Sequence, residues 1–375
     1  INVDAGLTST LTGGTGTGDT LTIVGGTYTA AQLAGTTAIE TWTVSNNASA
    51  SFTTGDVNIA DGASLTIDGR AITSAANSLT VNAAAETNGA ITAHGSTGGD
   101  VFTLTASDQG DTFNGYAGAD GFTVAAAQLT TADTIDGGAG TDTLTISTAA
   151  ALVDADFTNV SNVERIDFGT VAATLTAGAQ FVEAGFNRIT GADNAVANTI
   201  NLDALGANNM ELVLGADTDT VDASSMTGAL TVTFSDEDDL TAADTITAGS
   251  GTSDLLRMTL TAAGGASDLT NVSGFETIAT RTDVAGTITL VDGNAASGAT
   301  LTVDATANTS AAMVINASAE TNGAIVINSG AGGDTLTMSQ SSIGDVVNAG
   351  AGGDTISVAI ANLNSLDVVD GGAGT

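Results

Sequence analysis

A glycine-rich stretch that recurs along the chain constrains this sequence more than any other feature. Residues 133–146 read DTIDGGAGTDTLTI, and related versions begin at Gly13 and Asp244. A further version starts at Asp367. Because each version joins a glycine turn to a short strand-like segment, the sequence predicts stacked repeats rather than one large core.

The stretch combines a tight turn with a strand. Its glycines are Gly137, Gly138 and Gly140. They let the backbone turn with its carbonyls pointing inward, and Asp142 closes the turn. Residues 143–147 then alternate between polar and apolar, the period of a strand with one buried face. Carbonyl oxygens closed by a carboxylate form a hard-oxygen site, which suits calcium better than zinc or copper.

The spacing of acidic residues indicates how the strands stack. Asp142 lies 22 residues before Glu164, and Asp254 lies 22 residues before Glu276. A period of about 20 to 22 residues predicts an all-β fold, a right-handed parallel β-solenoid of the β-helix or β-roll kind. Outward threonines are expected to stack in rows along its faces.

Two roles are open for Glu164, Glu276 and the equivalent Glu40. Each glutamate lies one coil after a motif aspartate, so it could give a second carboxylate to the same ion. It could instead accept hydrogen bonds from the backbone amides of the glycine turn. The structural role is favoured, because the apolar neighbours of each glutamate break the strand period and mark a bend.

The sequence also contains repeats that are longer than one coil. The segment AETNGAI at 85–91 recurs at 319–325, an offset of 234 residues. Equivalent aspartates divide the chain into repeat units of one continuous solenoid. The predicted units are 1–135, 136–246 and 247–369, and 370–375 begins a further unit.

The charge of the chain limits its partners. Forty-two acidic residues face five arginines, for a formal charge of -37. Self-repulsion of this size opposes compaction unless cations neutralise it. Nucleic acid and anionic membranes are not expected as partners, because both require basic patches. No apolar run has the length of a membrane span, so membrane insertion is not expected either.

The absence of cysteine removes disulfides as a means of stabilisation. Calcium is the predicted replacement, which favours an extracellular location because calcium is plentiful there. At 42% hydrophobic residues the chain is too apolar for an intrinsically disordered protein.

The predicted calcium ligands lie in or beside the glycine turns. The alternative is that the aspartates only form turns at solenoid corners. The candidates are Gly137, Gly138, Gly140, Asp142, Asp120, Asp111, Asp354, Asp345, Asp100, Asp334, Asp136, Asp370, Asp19 and Asp254.

No catalytic constellation is visible in the sequence, so the chain is predicted not to be an enzyme. His94 is its only histidine, and the counterpart of His94 in the 234-residue repeat is Asn328. A Ser-His-Asp arrangement therefore lacks support, and a polar side chain at the edge of a coil is the expected role of His94.

The segments GGAGTDTLTI at 137–146 and NVERI at 162–166 together resemble the RTX-type, calcium-dependent surface-layer (S-layer) proteins of Gram-negative bacteria. The resemblance implies type I secretion with an uncleaved C-terminal signal, a calcium-filled β-solenoid and self-assembly on the cell surface. It places the family's ligand aspartate on Asp142, and through the same motif on Asp120 and Asp354.

The expected function is that of a secreted, calcium-stabilised structural protein that assembles on the bacterial cell surface, as an S-layer lattice or a filament. The expected partner is a second copy of the chain, with cell-surface polysaccharide as a further candidate. Two alternatives are an RTX adhesin stalk or ligand-binding module, and a β-helical enzyme acting on polysaccharide. The enzyme is the weaker alternative, since five scattered arginines and one histidine offer little for a catalytic groove.

Overall fold

Short strands that pair in parallel with strands about one coil away confirm the predicted all-β solenoid. The computed structural model describes residues 10–191, 196–261 and 265–374. Residues 1–9, at the start of the first predicted repeat unit, and residue 375, at the end of the last, lie outside the described residues. Contacts divide the chain into two compact units. Unit 1 comprises Ile1–Val171 and Ala179–Asn187, and unit 2 comprises Ala172–Gly178 and Arg188–Thr375.

Unit 1 contains two long parallel sheets. One has the order β2, β5, β7, β9, β11, β13, β16, and the other has the order β3, β6, β8, β10, β12, β14, β17. Strand β1 pairs with β4. The strands are β1 (Leu11–Thr12), β2 (Thr20–Ile23), β3 (Gly26–Tyr28), β4 (Thr36–Thr37), β5 (Thr41–Val44), β6 (Ala50–Thr53), β7 (Ser64–Asp68), β8 (Leu79–Asn82), β9 (Ala90–His94), β10 (Val101–Thr103), β11 (Thr112–Asn114), β12 (Gly121–Val124), β13 (Thr134–Asp136), β14 (Thr143–Ile146), β15 (Ala151–Val153), β16 (Val160–Ser161) and β17 (Arg165–Asp167).

Unit 2 contains three sets of parallel strands. Their orders are β19, β21, β23, β25, β28, β30, β32, β34, β36, then β18, β20, β22, β24, β27, and finally β26, β29, β31, β33, β35. The strands are β18 (Thr174–Thr176), β19 (Arg188–Thr190), β20 (Thr199–Asn201), β21 (Met210–Leu214), β22 (Thr220–Asp222), β23 (Leu230–Phe234), β24 (Thr245–Thr247), β25 (Leu255–Met258), β26 (Gly265–Asp268), β27 (Val272–Ser273), β28 (Thr277–Thr280), β29 (Gly286–Thr289), β30 (Thr300–Asp304), β31 (Met313–Asn316), β32 (Ala324–Asn328), β33 (Thr335–Thr337), β34 (Val346–Asn348), β35 (Thr355–Ser357) and β36 (Val368–Asp370).

Helical structure is confined to short segments between strands. The described residues of unit 1 include two α-helices, α1 (Ala30–Leu33) and α2 (Ala179–Ala184). The 3₁₀ turns span Ala126–Gln128, Asp154–Phe157, Asp203–Leu205 and Glu237–Asp239. None of the helices in the described part of the chain has the length and apolar character that a membrane-spanning helix needs.

Alternating side chains give each coil an apolar interior and a polar exterior. In β14, Leu144 and Ile146 are buried, whereas Thr143 and Thr145 are half-buried. In β25, Leu256 and Met258 are fully buried and Arg257 takes the outward place between them. The predicted threonine rows are present. The longest, in register along one sheet of unit 1, comprises Thr20, Thr41, Thr66, Thr92, Thr112 and Thr134.

Coil length varies more than the sequence spacing predicts. Val101 pairs with Gly121, the residue 20 positions later. Ala50, in contrast, pairs with Leu79, 29 positions later. The extra residues of the longer coils lie in the loops between strands. A solenoid tolerates such loops because they leave the register of the strands unchanged.

The 234-residue sequence repeat is also a structural repeat. Glu86 and Glu320 are both fully buried. Their Oε1 atoms accept hydrogen bonds from the amides of Gly89 at 2.9 Å and Gly323 at 3.1 Å. The repeat units with boundaries at 135/136 and 246/247 stay a prediction from the sequence.

Candidate metal centre

Among the described residues, thirteen aspartates occupy one structural position: each directly precedes a strand, where the chain leaves a corner of the coil. We call this position the corner aspartate. Its members are Asp19, Asp100, Asp111, Asp120, Asp133, Asp142, Asp219, Asp244, Asp254, Asp334, Asp345, Asp354 and Asp367.

One carboxylate oxygen of these residues joins neighbouring coils. The amide of Leu79 donates to Oδ1 of Asp100 at 2.6 Å. The amide of Asp100 donates to Oδ1 of Asp120, and the amide of Asp120 to Oδ1 of Asp142, both at 2.7 Å. The carboxylates thus bind amides that the turn of the chain would leave without a partner. We call such a series an aspartate ladder.

Three of the ladders end on glutamates, which act there as amide acceptors, the role that the sequence favoured. Oε2 of Glu164 accepts the amide of Asp142 at 2.8 Å, and Oε2 of Glu276 accepts that of Asp254 at 2.8 Å. Oε2 of Glu40 accepts the amides of Asp19 at 2.8 Å and Gly18 at 3.0 Å.

The second carboxylate oxygen, Oδ2, divides the corner aspartates into two groups. In the first group, which we call closed corners, a hydroxyl or amide in the preceding loop hydrogen-bonds to the carboxylate. Oδ2 of Asp111 accepts from the backbone amide of Thr105 at 2.8 Å and from its hydroxyl at 2.9 Å. The closed corners and their partners are Asp111 with Thr105, Asp133 with Thr130, Asp244 with Thr241, Asp100 with Ser96, Asp334 with Ser329, Asp345 with Ser339 and Asp367 with Asn364.

In the second group, which we call open corners, Oδ2 is buried and no donor with hydrogen-bond geometry reaches it. A buried carboxylate oxygen without a hydrogen-bond partner is unfavourable, because burying an unpaired charge is costly. The open corners are Asp19, Asp120, Asp142, Asp219, Asp254 and Asp354.

Glycines bring backbone carbonyls close to these free oxygens. A Cβ atom at Gly115 would lie 2.2 Å from Oδ2 of Asp120 and 2.5 Å from the carbonyl oxygen of Gly137. A Cβ atom at Gly137 itself would lie 2.7 Å from Oδ2 of Asp142 and 2.1 Å from the carbonyl oxygen of Asn162. A carboxylate oxygen and a carbonyl oxygen therefore face the same small space, which only glycine leaves open.

At several corners, burial disfavours the charged carboxylate. Burial raises the pKa of Asp120 to about 7, and the carboxylates of Asp100 and Asp142 add to the rise. Burial likewise raises the pKa of Asp219 to about 7 and that of Asp111 to about 6. It also raises the pKa of Asp142. A cation or a proton would relieve this penalty.

The predicted turn glycines surround an open corner. Gly138, before Asp142, has φ +90°. A Cβ atom at Gly138 would lie 2.4 Å from the carbonyl oxygen of Tyr116, and one at Gly140 would lie 1.5 Å from that of Gly118. These contacts explain why the turn needs glycine.

The remaining predicted ligands lie in other surroundings. Asp136 and Asp370 occupy outward places at the ends of β13 and β36, and Asp136 accepts a hydrogen bond from the side chain of Asn162 at 2.7 Å. Asp111, Asp345, Asp100 and Asp334 are closed corners, whereas Asp142, Asp120, Asp354, Asp19 and Asp254 are open corners.

The oxygen atoms at the open corners are suitable ligands for a hard cation. Each has a buried carboxylate oxygen without a hydrogen-bond donor, and carbonyl oxygens lie nearby at Asp120 and Asp142. Within the described residues, no group of three or more histidine, cysteine, aspartate or glutamate side chains converges as a metal-ligand set. An ion at an open corner would therefore take most of its ligands from backbone carbonyls, which calcium accepts and zinc does not.

Sequence reasoning missed four corner aspartates, Asp133, Asp219, Asp244 and Asp367, none of which has a glycine among the three residues before it. The first three are each followed by threonine and a buried apolar residue, as Asp142 is. The Asp-Thr-apolar signal before a short strand would have found them. It marks where a strand begins, whereas the glycines mark only how the preceding turn is made.

The single histidine lies on the outward face of unit 1, as predicted, in a small polar cluster. Nδ1 of His94 is 3.1 Å from the hydroxyl of Tyr116. The guanidinium of Arg70 donates two hydrogen bonds to the carboxylate of Asp68, at 2.9 and 2.7 Å. Burial lowers the pKa of His94, and the charge of Arg70 lowers it further.

No protein-family model, curated protein or solved structure matches this chain. The geometry of the corners is therefore the basis for any statement about function.

Proposed function

We propose that this chain is part of a secreted, calcium-stabilised structural protein that self-assembles on a bacterial cell surface, as a lattice or a filament. The observation that carries the proposal is the set of six open corners, each with a buried carboxylate oxygen that lacks a donor. In a chain with a formal charge of -37, bound calcium would offset both this local cost and the general repulsion between carboxylates.

The proposed role is structural rather than enzymatic. The acidic side chains of the ladders are used as acceptors for backbone amides, so they hold coils together instead of facing a substrate. The proposed partner is a second copy of the chain. Outward rows such as the one from Thr20 to Thr134 repeat the same chemistry at each coil, and a repeated surface suits regular packing between copies.

Removal of calcium tests the proposal. The protein is stripped with excess chelator and compared with the calcium-loaded protein by far-ultraviolet circular dichroism, thermal unfolding and electron microscopy. We expect the Tm to fall by at least about 10 °C, because several sites lose a ligand that binds only the folded state. Assemblies should disappear in the chelator as well, and calcium should restore both the Tm and the assemblies.

Magnesium serves as the matched control, since it demands a regular octahedral site that carbonyl-lined corners do not offer. An unchanged Tm and intact assemblies in excess chelator would contradict the proposal.

One observation favours a second candidate, a ligand-binding module for cell-surface polysaccharide. The chain has one histidine, two tyrosines and five arginines, yet His94, Tyr116 and Arg70 lie together on one face. Tyr116 is exposed and has φ +70°, a conformation costly for a bulky residue. If this candidate holds, Tyr116→Ala abolishes binding to purified surface polysaccharide without changing the Tm, whereas unaltered binding rules it out.

A further inference from the structure

A turn without the glycine motif presents two free carboxylate oxygens instead of one. It precedes β22 and reads GADTD at 215–219. Oδ2 of Asp217 and Oδ2 of Asp219 are both buried, and no hydrogen-bond donor reaches either atom. Asp219 is 0% exposed. Among the open corners described above, only this one has a second unpartnered carboxylate oxygen two residues away in the same turn.

The other oxygen of Asp219 is fully used. Oδ1 accepts hydrogen bonds from the backbone amide of Asn198 at 3.1 Å and from its side-chain amide at 2.7 Å. These bonds hold the carboxylate in one orientation and leave Oδ2 as the only atom available to a ligand.

The surroundings are negative. The amide of Asp219 donates to the carboxylate of Asp244 at 2.6 Å, and the charges of Asp244 and Asp217 both act on Asp219. The ion pairs found in the described residues are Arg70 with Asp68 and Arg188 with Glu211, neither of which includes this turn. Protein cations thus do not compensate Asp217 and Asp219 there, which leaves the compensation to a bound ion.

The backbone of Asp217 is strained. Its φ is +146°, a region that residues with a Cβ rarely adopt. Glycine would remove that cost, but it would also remove the second carboxylate. The presence of aspartate at this position is consistent with a role for its side chain.

We propose that Asp217 and Asp219 together bind a calcium ion, at a site that the glycine-aspartate motif does not mark. Two anionic ligands from one turn make it the tightest calcium site of the chain, since affinity at hard-oxygen sites rises with the number of charged ligands. Calcium is favoured over magnesium because an irregular turn cannot supply an octahedral shell. The inference rests on the proposed function only in the choice of ion.

The test uses the full chain, stripped of metal, and two single substitutions. Asp217→Asn removes one charged ligand and keeps the turn, because asparagine has nearly the same size and shape as aspartate and adds no new backbone strain. Asp222→Asn is the matched control: it makes the same charge change in the same coil, on an outward residue whose carboxylate accepts the amide of Ser224. Circular dichroism verifies that both variants fold.

Calcium binding is measured by isothermal titration calorimetry. We expect the tightest step of the wild-type titration, one ion per chain, to weaken at least tenfold in Asp217→Asn and to stay unchanged in Asp222→Asn. Crystals soaked with terbium should show an anomalous peak beside the carboxylates of Asp217 and Asp219. A tightest step that is the same in Asp217→Asn and wild type, or terbium at other corners but not here, overturns the inference.

The outcomes also separate this inference from the proposed function. If the motif corners bind calcium and Asp217→Asn changes nothing, the inference fails and the proposed function stands. If calcium binds only at Asp217 and Asp219 and chelation leaves the fold and Tm unchanged, the inference stands and the proposed function fails. A wild-type chain that binds no calcium contradicts both.

Discussion

At the scale of the residue, a corner aspartate gives different tasks to its two oxygens. Oδ1 accepts a hydrogen bond from a backbone amide of the preceding coil, in place of a backbone carbonyl oxygen. Oδ1 of Asp142, for example, accepts from the amide of Asp120. Whether Oδ2 is satisfied depends on one loop residue: Thr105 supplies two donors to Asp111, whereas the glycines before Asp142 supply none. A corner aspartate therefore either has hydrogen-bond partners at both oxygens or keeps a buried Oδ2 without a partner.

Replacing Asp142 by asparagine should have opposite effects with and without calcium. The amide oxygen still accepts from Asp120, and the new NH₂ group faces the space beside Gly137 that the carbonyl oxygen of Asn162 also faces, so we expect it to donate to that oxygen. In chelator we expect Asp142→Asn to raise the free energy of unfolding by about 1–2 kcal/mol, because a buried charge disappears and a hydrogen bond forms. In calcium it should lower stability relative to wild type. Urea unfolding measures both.

Asp111→Asn is the control for that prediction. Both oxygens of Asp111 already accept hydrogen bonds, so an NH₂ group there would face the donors of Thr105. We expect a loss of about 1–3 kcal/mol with or without calcium. If Asp142→Asn and Asp111→Asn respond alike to calcium, the distinction between open and closed corners is wrong.

Replacing Gly137 by alanine should destabilise the corner for lack of space. The added Cβ would lie 2.1 Å from the carbonyl oxygen of Asn162, a backbone atom that cannot move aside without shifting the next coil. We expect a loss of about 1–3 kcal/mol in the free energy of unfolding. The control is Gly55→Ala, whose Cβ would meet its nearest neighbour at 3.8 Å. Equal stability of the two variants in urea would contradict the packing of the corner.

At the scale of the element, the aspartate ladders connect strands at points where the sheets cannot. The ladder from Leu79 through Asp100, Asp120 and Asp142 to Glu164 links the starts of β8, β10, β12, β14 and β17. Without these bonds, one amide per coil would be buried without a partner. Five successive strands therefore start in register.

Glu164→Ala should loosen the end of this ladder locally. The amide of Asp142 loses its acceptor, and we expect its hydrogen exchange to accelerate at least about tenfold, in line with a buried donor left unsatisfied. Glu164→Gln keeps an acceptor oxygen and should leave the exchange rate nearly unchanged. Hydrogen exchange of the segment that contains Asp142, measured by NMR or mass spectrometry, tests this prediction. Equally slow exchange in both variants would mean that the glutamate does not hold this amide.

At the scale of the whole molecule, the balance of charge governs stability. Most acidic proteins lose stability when their paired carboxylates are protonated. Here Asp111, Asp120 and Asp219 are buried with raised pKa values, of about 6, 7 and 7. These carboxyls bind protons more readily in the folded chain than in the unfolded one.

The calcium-free protein should therefore become more stable as the pH falls from 8 to 5. An unfolded aspartate has a pKa near 3.9, so the stabilisation from these carboxyls is fully present below that pH and is lost as the pH rises through 6 to 7. Asp68 has the opposite effect on stability, because its hydrogen bonds with Arg70 lower its pKa. The stability that Asp68 contributes is lost only at a pH below the range from 8 to 5.

Urea midpoints of the metal-free protein at pH 5 and pH 8 measure the effect. Asp120→Asn removes one of the three raised groups and should reduce the difference between the two midpoints. A higher midpoint at pH 8 than at pH 5 would contradict the predicted direction.

The sequence alone determined the fold class. Alternating segments such as Thr143–Ile146 can only be half-buried strands, and glycine turns at a regular spacing can only stack them in parallel coils. The same spacing predicted that Glu164 lies one coil from Asp142, as it does. These features are local or periodic, so they can be read without knowing what lies next to each coil.

Only the tertiary structure decided which carboxylates are satisfied. The donors for a corner aspartate come partly from a residue about 20 positions earlier, as Asp100 donates to Asp120, and partly from its own loop. Asp120 and Asp111 lie in similar glycine-aspartate segments, yet Thr105 closes only Asp111. Nothing in the glycine motif marks Asp217 beside Asp219. Hydrogen bonding depends on distances of a few tenths of an ångström between coils, and those are settled by strand register and loop shape rather than by residue type.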